Sequence, residues 1–261
     1  MTVRPDLRSL VLALSCVLMA GCATSPTGRR QLKLLSDAEV DRMGVAAFQD
    51  MKARGPISEN RRANRQVRCI VDAIVAQLPP PHGTRTWEVV VFDEETPNAF
   101  ALPGGKIGVH TGLLTVAETQ GQLATVIGHE VAHVIAGHSN ERASHQIATG
   151  AVAAVAGEVA GPLGEAAVGA GAQLGLLLPF SRTQESEADV LGLEYLARAG
   201  FDPTESVVLW QNMERASEGG PPEFLSTHPS GDTRIRDLQE QLAEMTPLSQ
   251  AAREAGRRPN C

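Results

Sequence analysis

The run His129-Glu130-Val131-Ala132-His133 constrains this chain more than any other stretch. It lies inside Gln120 to His138, where Leu123, Val126, Ile127, Val131, Val134 and Ile135 recur at helical spacing. Residues four apart on a helix share a face, one turn apart, so the two imidazoles point the same way. Imidazoles so placed can reach a single zinc ion at about 2.0–2.1 Å. Glu130, beside the first histidine, is placed to take a proton from a water that such an ion activates. Zinc of this kind needs a third protein ligand and keeps a fourth place for water.

His138 does not supply the third ligand. It follows His133 by five residues, which puts it about 140° further round the helix, and it reads as a capping histidine or a support behind the ligands. The long metzincin pattern also fails, because Ala136 stands where it needs Gly and Ser139 where it needs His. A carboxylate from a second helix is the other solution. Thr183 to Ala199 reads as a helix closed by Gly200, and within it Glu185 and Asp189 share a face. Glu185 can bind the ion while Asp189 accepts a hydrogen bond from a ligand histidine and fixes its tautomer. Glu187 lies about 200° round from Glu185 and points elsewhere.

The rest of the sequence is compatible with a packed domain. The chain has 261 residues, 43% of them hydrophobic but only 3% aromatic, so the core is built from Ala, Val, Leu and Ile. A net charge of -7 and the lack of aromatics argue against a nucleic-acid partner, which would need a basic stripe or stacking rings. The four cysteines contain no C-x-x-C, so neither a zinc ribbon nor a thioredoxin-like motif is present. No internal repeat is visible.

The first residues read as an address. Arg4 and Arg8 precede an apolar run from Leu10 to Ala20, too short to span a bilayer but suited to a signal peptide over 1–21. The run ends in Leu18-Met19-Ala20-Gly21-Cys22, which resembles a bacterial lipobox and implies cleavage before Cys22 and acylation of that residue. Removing Arg4, Asp6 and Arg8 takes the net charge from -7 to -8. Ala23, rather than Asp, after the cysteine points to the outer membrane, facing the periplasm. Residues 22–35 then read as a lipidated tether. In that oxidising compartment Cys69 and Cys261 can pair.

The remaining elements suggest an α+β domain over 36–246 and a C-terminal tail over 247–261. Asp37–Arg54 and Asn60–Leu78 read as helices and Thr86–Phe92 as a strand. Asn98–Leu102 and Lys106–His110 form a hairpin-like pair, and Gly112–Ala117 is a short helical piece. Residues 147–178 are rich in Ala, Gly and Val and read as a packed helical hairpin or a lid rather than a membrane span, since their longest uncharged run is short. Thr204–Ala216 and Asp232–Glu244 read as helices, and Glu218–Gly231 as a loop.

Taken in order, several blocks resemble the gluzincin zinc metallopeptidases of the HtpX and CAAX-prenyl-protease type. Within these the chain is most similar to the periplasmic lipoprotein branch (LoiP- and BepA-like) and the OMA-type proteases. The blocks are Thr27 to Leu32, Asn98 to Gly105, Thr111 to Leu114, His129 to His138, Ser181 to Asp189, and Gly200 to Pro203. They span nearly the whole chain after Cys22. The resemblance implies a mostly helical zincin-like fold with a small β-sheet beside the active-site helix, and one zinc on His129, His133 and Glu185. It implies Glu130 as general base, Asp189 as the carboxylate behind a ligand, and Arg182, with Ser181, near the site. Asn98 to His110 matches the strand region that lines the substrate cleft. His110 itself reads as a strand-surface residue or as part of that lining. Thr227-His228-Pro229 matches a loop whose histidine can close the water's place as an inhibitory fourth ligand; the other reading of His228 is an exposed loop residue. His82 and His145 read as surface residues.

The function implied is an envelope-anchored endopeptidase acting on misfolded or misassembled proteins. Its competitors are a chaperone or assembly factor on the same fold with minor proteolysis, and a structural lipoprotein carrying the motif by accident.

Overall fold

The computed structural model describes residues 22–155, 179–216, 223–228 and 233–261. The expected signal peptide lies outside the described residues, as does most of the Ala/Gly-rich stretch. The architecture is α+β, mostly helical, with a small mixed sheet laid against a central helix.

Helix α1, Asp37–Arg54, opens on a reciprocal capping box in which Ser36 and Glu39 satisfy each other's backbone donors. Helix α2, Arg61–Val75, starts at the Asn60 cap and buries Val67, Ile70, Val71 and Ile74 on one stripe. A two-stranded hairpin, β1 (Cys22–Thr24) and β2 (Arg30–Leu32), precedes them. Strands β3 (Glu88–Phe92), β4 (Ala99–Leu102) and β5 (Lys106–His110) form a sheet in the order β3-β5-β4. β5 runs parallel to β3 and antiparallel to β4, with Ala99 opposite Val109 and Leu102 opposite Lys106. β4 is thus an edge strand. Its two faces serve different packings: Ala99 and Ala101 belong to the main core, whereas Phe100 joins Phe48 and Phe92 beneath α1.

After the short α3 (Leu113–Val116) comes the central helix α4, Gln120–Ile135, capped by Thr119. Every residue from Gly121 to Val134 on it is buried. It is covered by β4, α2, α6 (Arg182–Arg198) and α7 (Glu205–Ala216). A helix hidden all round must satisfy its polar side chains internally; on α4 these include His129, Glu130 and His133. α4 stops at Gly137, whose φ of 70° is the left-handed conformation that ends helices. α5, His138–Val155, starts immediately beyond it. Two glycines let α4 and α6 approach closely: a Cβ on Gly192 would lie 2.7 Å from the His129 backbone nitrogen, and one on Gly128 would lie 2.9 Å from the Gly192 carbonyl oxygen. That approach sets the spacing of the site.

Three expected boundaries are corrected. Residues 22–35 are not a bare tether, because β1 and β2 pair and Gln31 is buried, its amide donating to the Ala136 carbonyl at 2.7 Å. Part of the expected loop is helix α8, Glu223–Thr227. The expected tail is continuous with the last helix, α9, which runs over Arg234–Glu254 through Pro247. Met245, Ser249 and Ala252 are buried there, and Ser249 Oγ donates to the Phe201 carbonyl. Cys261 is then disulfide-bonded to Cys69 on α2, closing a separation of 192 residues. No described helix is long and apolar enough to cross a membrane.

Candidate metal centre and active site

The last two turns of α4 face the first turns of α6, and the close approach of Gly128 to Gly192 lies beside that meeting. His129 Nε2 and His133 Nε2 are 3.0 Å apart there. Glu185 faces both, with Oε2 at 3.2 Å from His129 Nε2 and Oε1 at 3.4 Å from His133 Nε2. His228, just past α8, brings Nδ1 to 3.1 Å from Glu185 Oε1 and 3.3 Å from His129 Nε2. Ligand atoms of these four buried residues all lie within 4.8 Å of one another. Tetrahedral ligands at about 2.0–2.1 Å from zinc are roughly 3.3 Å apart, so the donors already stand near the separation the ion demands. Two imidazoles and a carboxylate are the donor chemistry of a zinc site, and the set fits Zn²⁺.

His129 and His133 are each held from behind at Nδ1. His129 Nδ1 donates to Asp189 Oδ1 at 2.9 Å. His133 Nδ1 lies 2.8 Å from His138 Nδ1, and His138 Nε2 lies 3.1 Å from Glu187 Oε2. Arg234, at the head of α9, donates to Asp189 Oδ1 at 2.6 Å and to Glu185 Oε2 at 3.3 Å. Its guanidinium lies 3.5 Å over the Trp210 ring, where the indole face offers a cation–π contact.

The charges follow these contacts. Burial works against ionisation of Asp189 and Glu185, yet Arg234 and His129 hold Asp189 low, and His129 with its histidine neighbours holds Glu185 far below the carboxylate range. His129 is also opposed by burial, but Glu185 and Asp189 push it up to about 9 in the metal-free protein. His133 is driven well down by burial. Burial pushes the Glu130 carboxyl up, so it holds a proton more readily than an exposed carboxylate.

Glu130 opens toward a cavity of about 570 Å³ whose walls include Phe92, Phe100, His110, Arg142 and Phe180. Glu130 Oε2 accepts from the Ala101 amide of β4 at 3.3 Å, and its Oε1 lies 3.3 Å from His228 Nε2. Phe180 stacks on His133 with ring centroids 3.6 Å apart, and the Arg142 guanidinium lies 3.5 Å over the same Phe180 ring. His110 packs edge-on against Phe92 and Phe100 and lines this cavity.

The structure brings together His129, Glu130, His133, Glu185, Asp189 and His228. It does not bring Arg182 to them: Arg182 is exposed at the start of α6, where Ser181 serves as the cap. The arginine behind this cluster is Arg234. Sequence reading missed that role, although a cation at the head of an amphipathic helix six residues after His228 was the available signal. It also missed Phe180 and the pairing of Glu187 with His138. His82 is half-buried rather than a plain surface residue, and its carbonyl accepts from the Trp87 indole at 3.0 Å. Cys22 is exposed at the start of β1.

Residues 61–242 match the model of peptidase family M48. The mitochondrial metalloendopeptidase OMA1 of Schizosaccharomyces pombe is 41% identical over 163 residues, 60% of this chain and 47% of that protein. The beta-barrel assembly-enhancing protease of Yersinia pestis is 28% identical over 218 residues, 78% of this chain and 44% of its own. That of Escherichia coli is 30% identical over 162 residues, 58% of this chain and 33% of its own. The chain therefore spans between a third and a half of the length of these curated relatives. The matched region contains α4 and α6, the edge strand beside Glu130, and His228, and the chain belongs to peptidase family M48.

Proposed function

We propose that the chain is a zinc-dependent endopeptidase in which His129, His133 and Glu185 hold the ion and Glu130 is the general base. The observation that carries this is the convergence of those three ligand atoms beside a buried carboxylate on the same helix. Zinc, when bound, supplies a Lewis acid that polarises the scissile carbonyl and makes a water easier to deprotonate. The chain's own groups do the rest. Glu130 takes the proton of the attacking water and hands it to the leaving amine, a task suited to a carboxyl whose proton affinity burial has raised. Asp189 holds the ring of His129 by its Nδ1–H, so that Nε2 stays bare. The free flank of β4 can take an extended peptide as an added strand, and Phe180 shields the ligands on the side of His133.

His228 lies within reach of both Glu185 and Glu130. This supports its reading as a fourth ligand that closes the water's place, so that a productive complex requires it to move. The same observation favours a second reading, a chaperone or assembly factor with a plugged site. We further infer that Cys22 carries the lipid anchor of an envelope protein facing the periplasm, and that the substrates are misfolded or misassembled envelope proteins. The lipobox-like run supports the anchor. The name of the beta-barrel assembly-enhancing protease relatives supports the substrate class.

The test begins with the zinc-to-protein ratio of protein purified without a histidine tag, then casein cleavage by wild type, Glu130→Gln and His228→Ala. The enzyme reading expects close to one zinc per chain, cleavage reduced by roughly 10²–10⁴-fold in Glu130→Gln with zinc retained, and faster cleavage in His228→Ala. A folded protein that takes up no zinc sinks it. Full cellular function in Glu130→Gln hands the case to the chaperone reading.

A further inference from the structure

We propose that Arg29, on the N-terminal hairpin, is a positioning residue for His133 that acts through Glu187 and His138. The inference rests on the reading of His133 as a zinc ligand.

The argument starts from protons. To ligate through Nε2, a neutral His133 must carry its proton on Nδ1. That atom faces His138 Nδ1 at 2.8 Å, so His138 must accept there. The one proton of a neutral His138 is then on Nε2, which faces Glu187 Oε2 at 3.1 Å and donates to it. The chain of hydrogen bonds can be read in one direction only, and it ends on a carboxylate. If that carboxylate shifts, His138 loses the acceptor that holds its proton on Nε2, and the support behind His133 loosens.

The groups that fix Glu187 come from the hairpin as well as the helices. Arg29 Nε donates to Glu187 Oε2 at 2.9 Å, and Thr27 Oγ1 donates to Oε1 at 2.6 Å. The other two nitrogens of Arg29 hold Glu141 in a fork, Nη1 to Oε1 at 2.6 Å and Nη2 to Oε2 at 2.7 Å. Glu141 is on α5, one turn beyond His138, and also accepts from Gln184 on α6 at 2.8 Å. One planar guanidinium therefore ties the helix that bears His138 to the helix that bears Glu187. A lysine has the charge but not the fork. The hairpin and the residues after it are also fastened without Arg29. Gln31 donates to Ala136, the Leu34 amide donates to Ser144 Oγ at 2.8 Å, and Asn140 donates to the Leu35 carbonyl at 2.8 Å. Replacing Arg29 thus leaves contacts that can keep the segment docked.

The experiment compares the full chain, loaded with one equivalent of zinc, as wild type, Arg29→Ala and Arg29→Lys. Zinc release is timed against a chromogenic chelator, and long-range ¹H–¹⁵N spectra of the imidazoles report which ring nitrogen carries each proton. Melting of the metal-free forms checks the fold. The expected result is release roughly tenfold faster in Arg29→Ala, loss of the single Nε2–H form of His138, and an Arg29→Lys protein that resembles Arg29→Ala. A folded Arg29→Ala with wild-type release and wild-type tautomers overturns the proposal and leaves Arg29 as glue for the hairpin. If Arg29→Ala does not fold, Arg29→Lys is read by the same two outcomes. A wild type that binds no zinc sinks the peptidase reading beneath it, a failure distinct from wild-type zinc binding with an indifferent Arg29.

Discussion

His129 and His133 sit one turn apart on the same helix, yet they are supported in opposite ways. His129 is backed directly by a carboxylate, Asp189, which is itself clamped by Arg234 from the C-terminal helix. His133 is backed by a second histidine and only then by a carboxylate, Glu187, held by Arg29 and Thr27 from the N-terminal hairpin. The reason lies in the backbone. α6 runs beside α4 at glycine contact distance, so a carboxylate four residues after Glu185 reaches His129 without help. His133 is at the end of α4, where the chain breaks at Gly137, and the first residue of α5 fills the space behind it. Helix packing supplies one support, and a turn supplies the other.

The largest test removes what the two flanks share. Glu185 contacts both histidines, so Glu185→Ala should abolish stable zinc retention after dialysis while far-UV circular dichroism shows the helices intact. Normal zinc content in that variant would remove Glu185 from the site. Breaking one flank at a time should cost less, about 10–100-fold in zinc affinity. Asp189→Asn belongs at the upper end, because it touches a ligand directly and strips Arg234 of a partner in a buried place. Glu187→Gln belongs nearer the lower end, because its effect passes through His138. Competition against a calibrated chelator orders the two, and the reverse order would contradict the relayed support.

Acid and base should separate the flanks in the metal-free protein. His129 is raised from 6.5 to about 9 by Glu185 and Asp189, overcoming burial. Its protonation contributes stability that is fully present below about pH 6.5 and is lost as pH rises through about 9. His133 is lowered by burial, so the unfolded state binds the proton more readily and stability falls as pH drops below about 6.5. The alkaline limb is worth on the order of a few kcal/mol. In melting curves across pH, Asp189→Asn should flatten the alkaline loss and spare the acid limb originating at His133. An alkaline limb that survives Asp189→Asn unchanged would show that His129 does not cause it.

The same asymmetry explains what was legible in the sequence. The pairs His129 with His133 and Glu185 with Asp189 are both four apart, and helical geometry alone places each pair on one face. The hairpin-like pair of Asn98–Leu102 with Lys106–His110 is legible for an equally local reason, the Pro103-Gly104-Gly105 turn between them. Glu187 was read as pointing away from Glu185, and it does, but its destination depends on where Gly137 sends the chain. Arg234 and Arg29 are separated from their partners by 45 and 158 residues, and no local spacing encodes such a contact. Arg182 failed because a resemblance between sequences fixes a position along α6, while exposure depends on the side of α6 it occupies. The hairpin at residues 22–32 reads as a tether because short polar strands carry no hydrophobic period; its partners lie at the end of α4 and on α5 and α6.

The smallest effect on the metal should come from the chain's other long-range bond. Cys69–Cys261 pins the C-terminus to α2 and closes most of the chain into one loop. Loops of that size make a disulfide worth about 2–5 kcal/mol, chiefly through the unfolded state. Reduction should therefore lower the melting temperature by several degrees. It should leave zinc release within about twofold of the oxidised protein, because Arg234 is not held by the disulfide alone. Ser249 still donates to the Phe201 carbonyl at 2.6 Å and Arg253 to the Gly200 carbonyl at 2.8 Å, so α9 stays seated on α6 and its C-terminal turn. If mild reduction instead speeds zinc release as much as Asp189→Asn does, the clamp on His129 is loaded through the C-terminus. The two flanks would then differ less than their contacts indicate, each depending on a strap from a chain end.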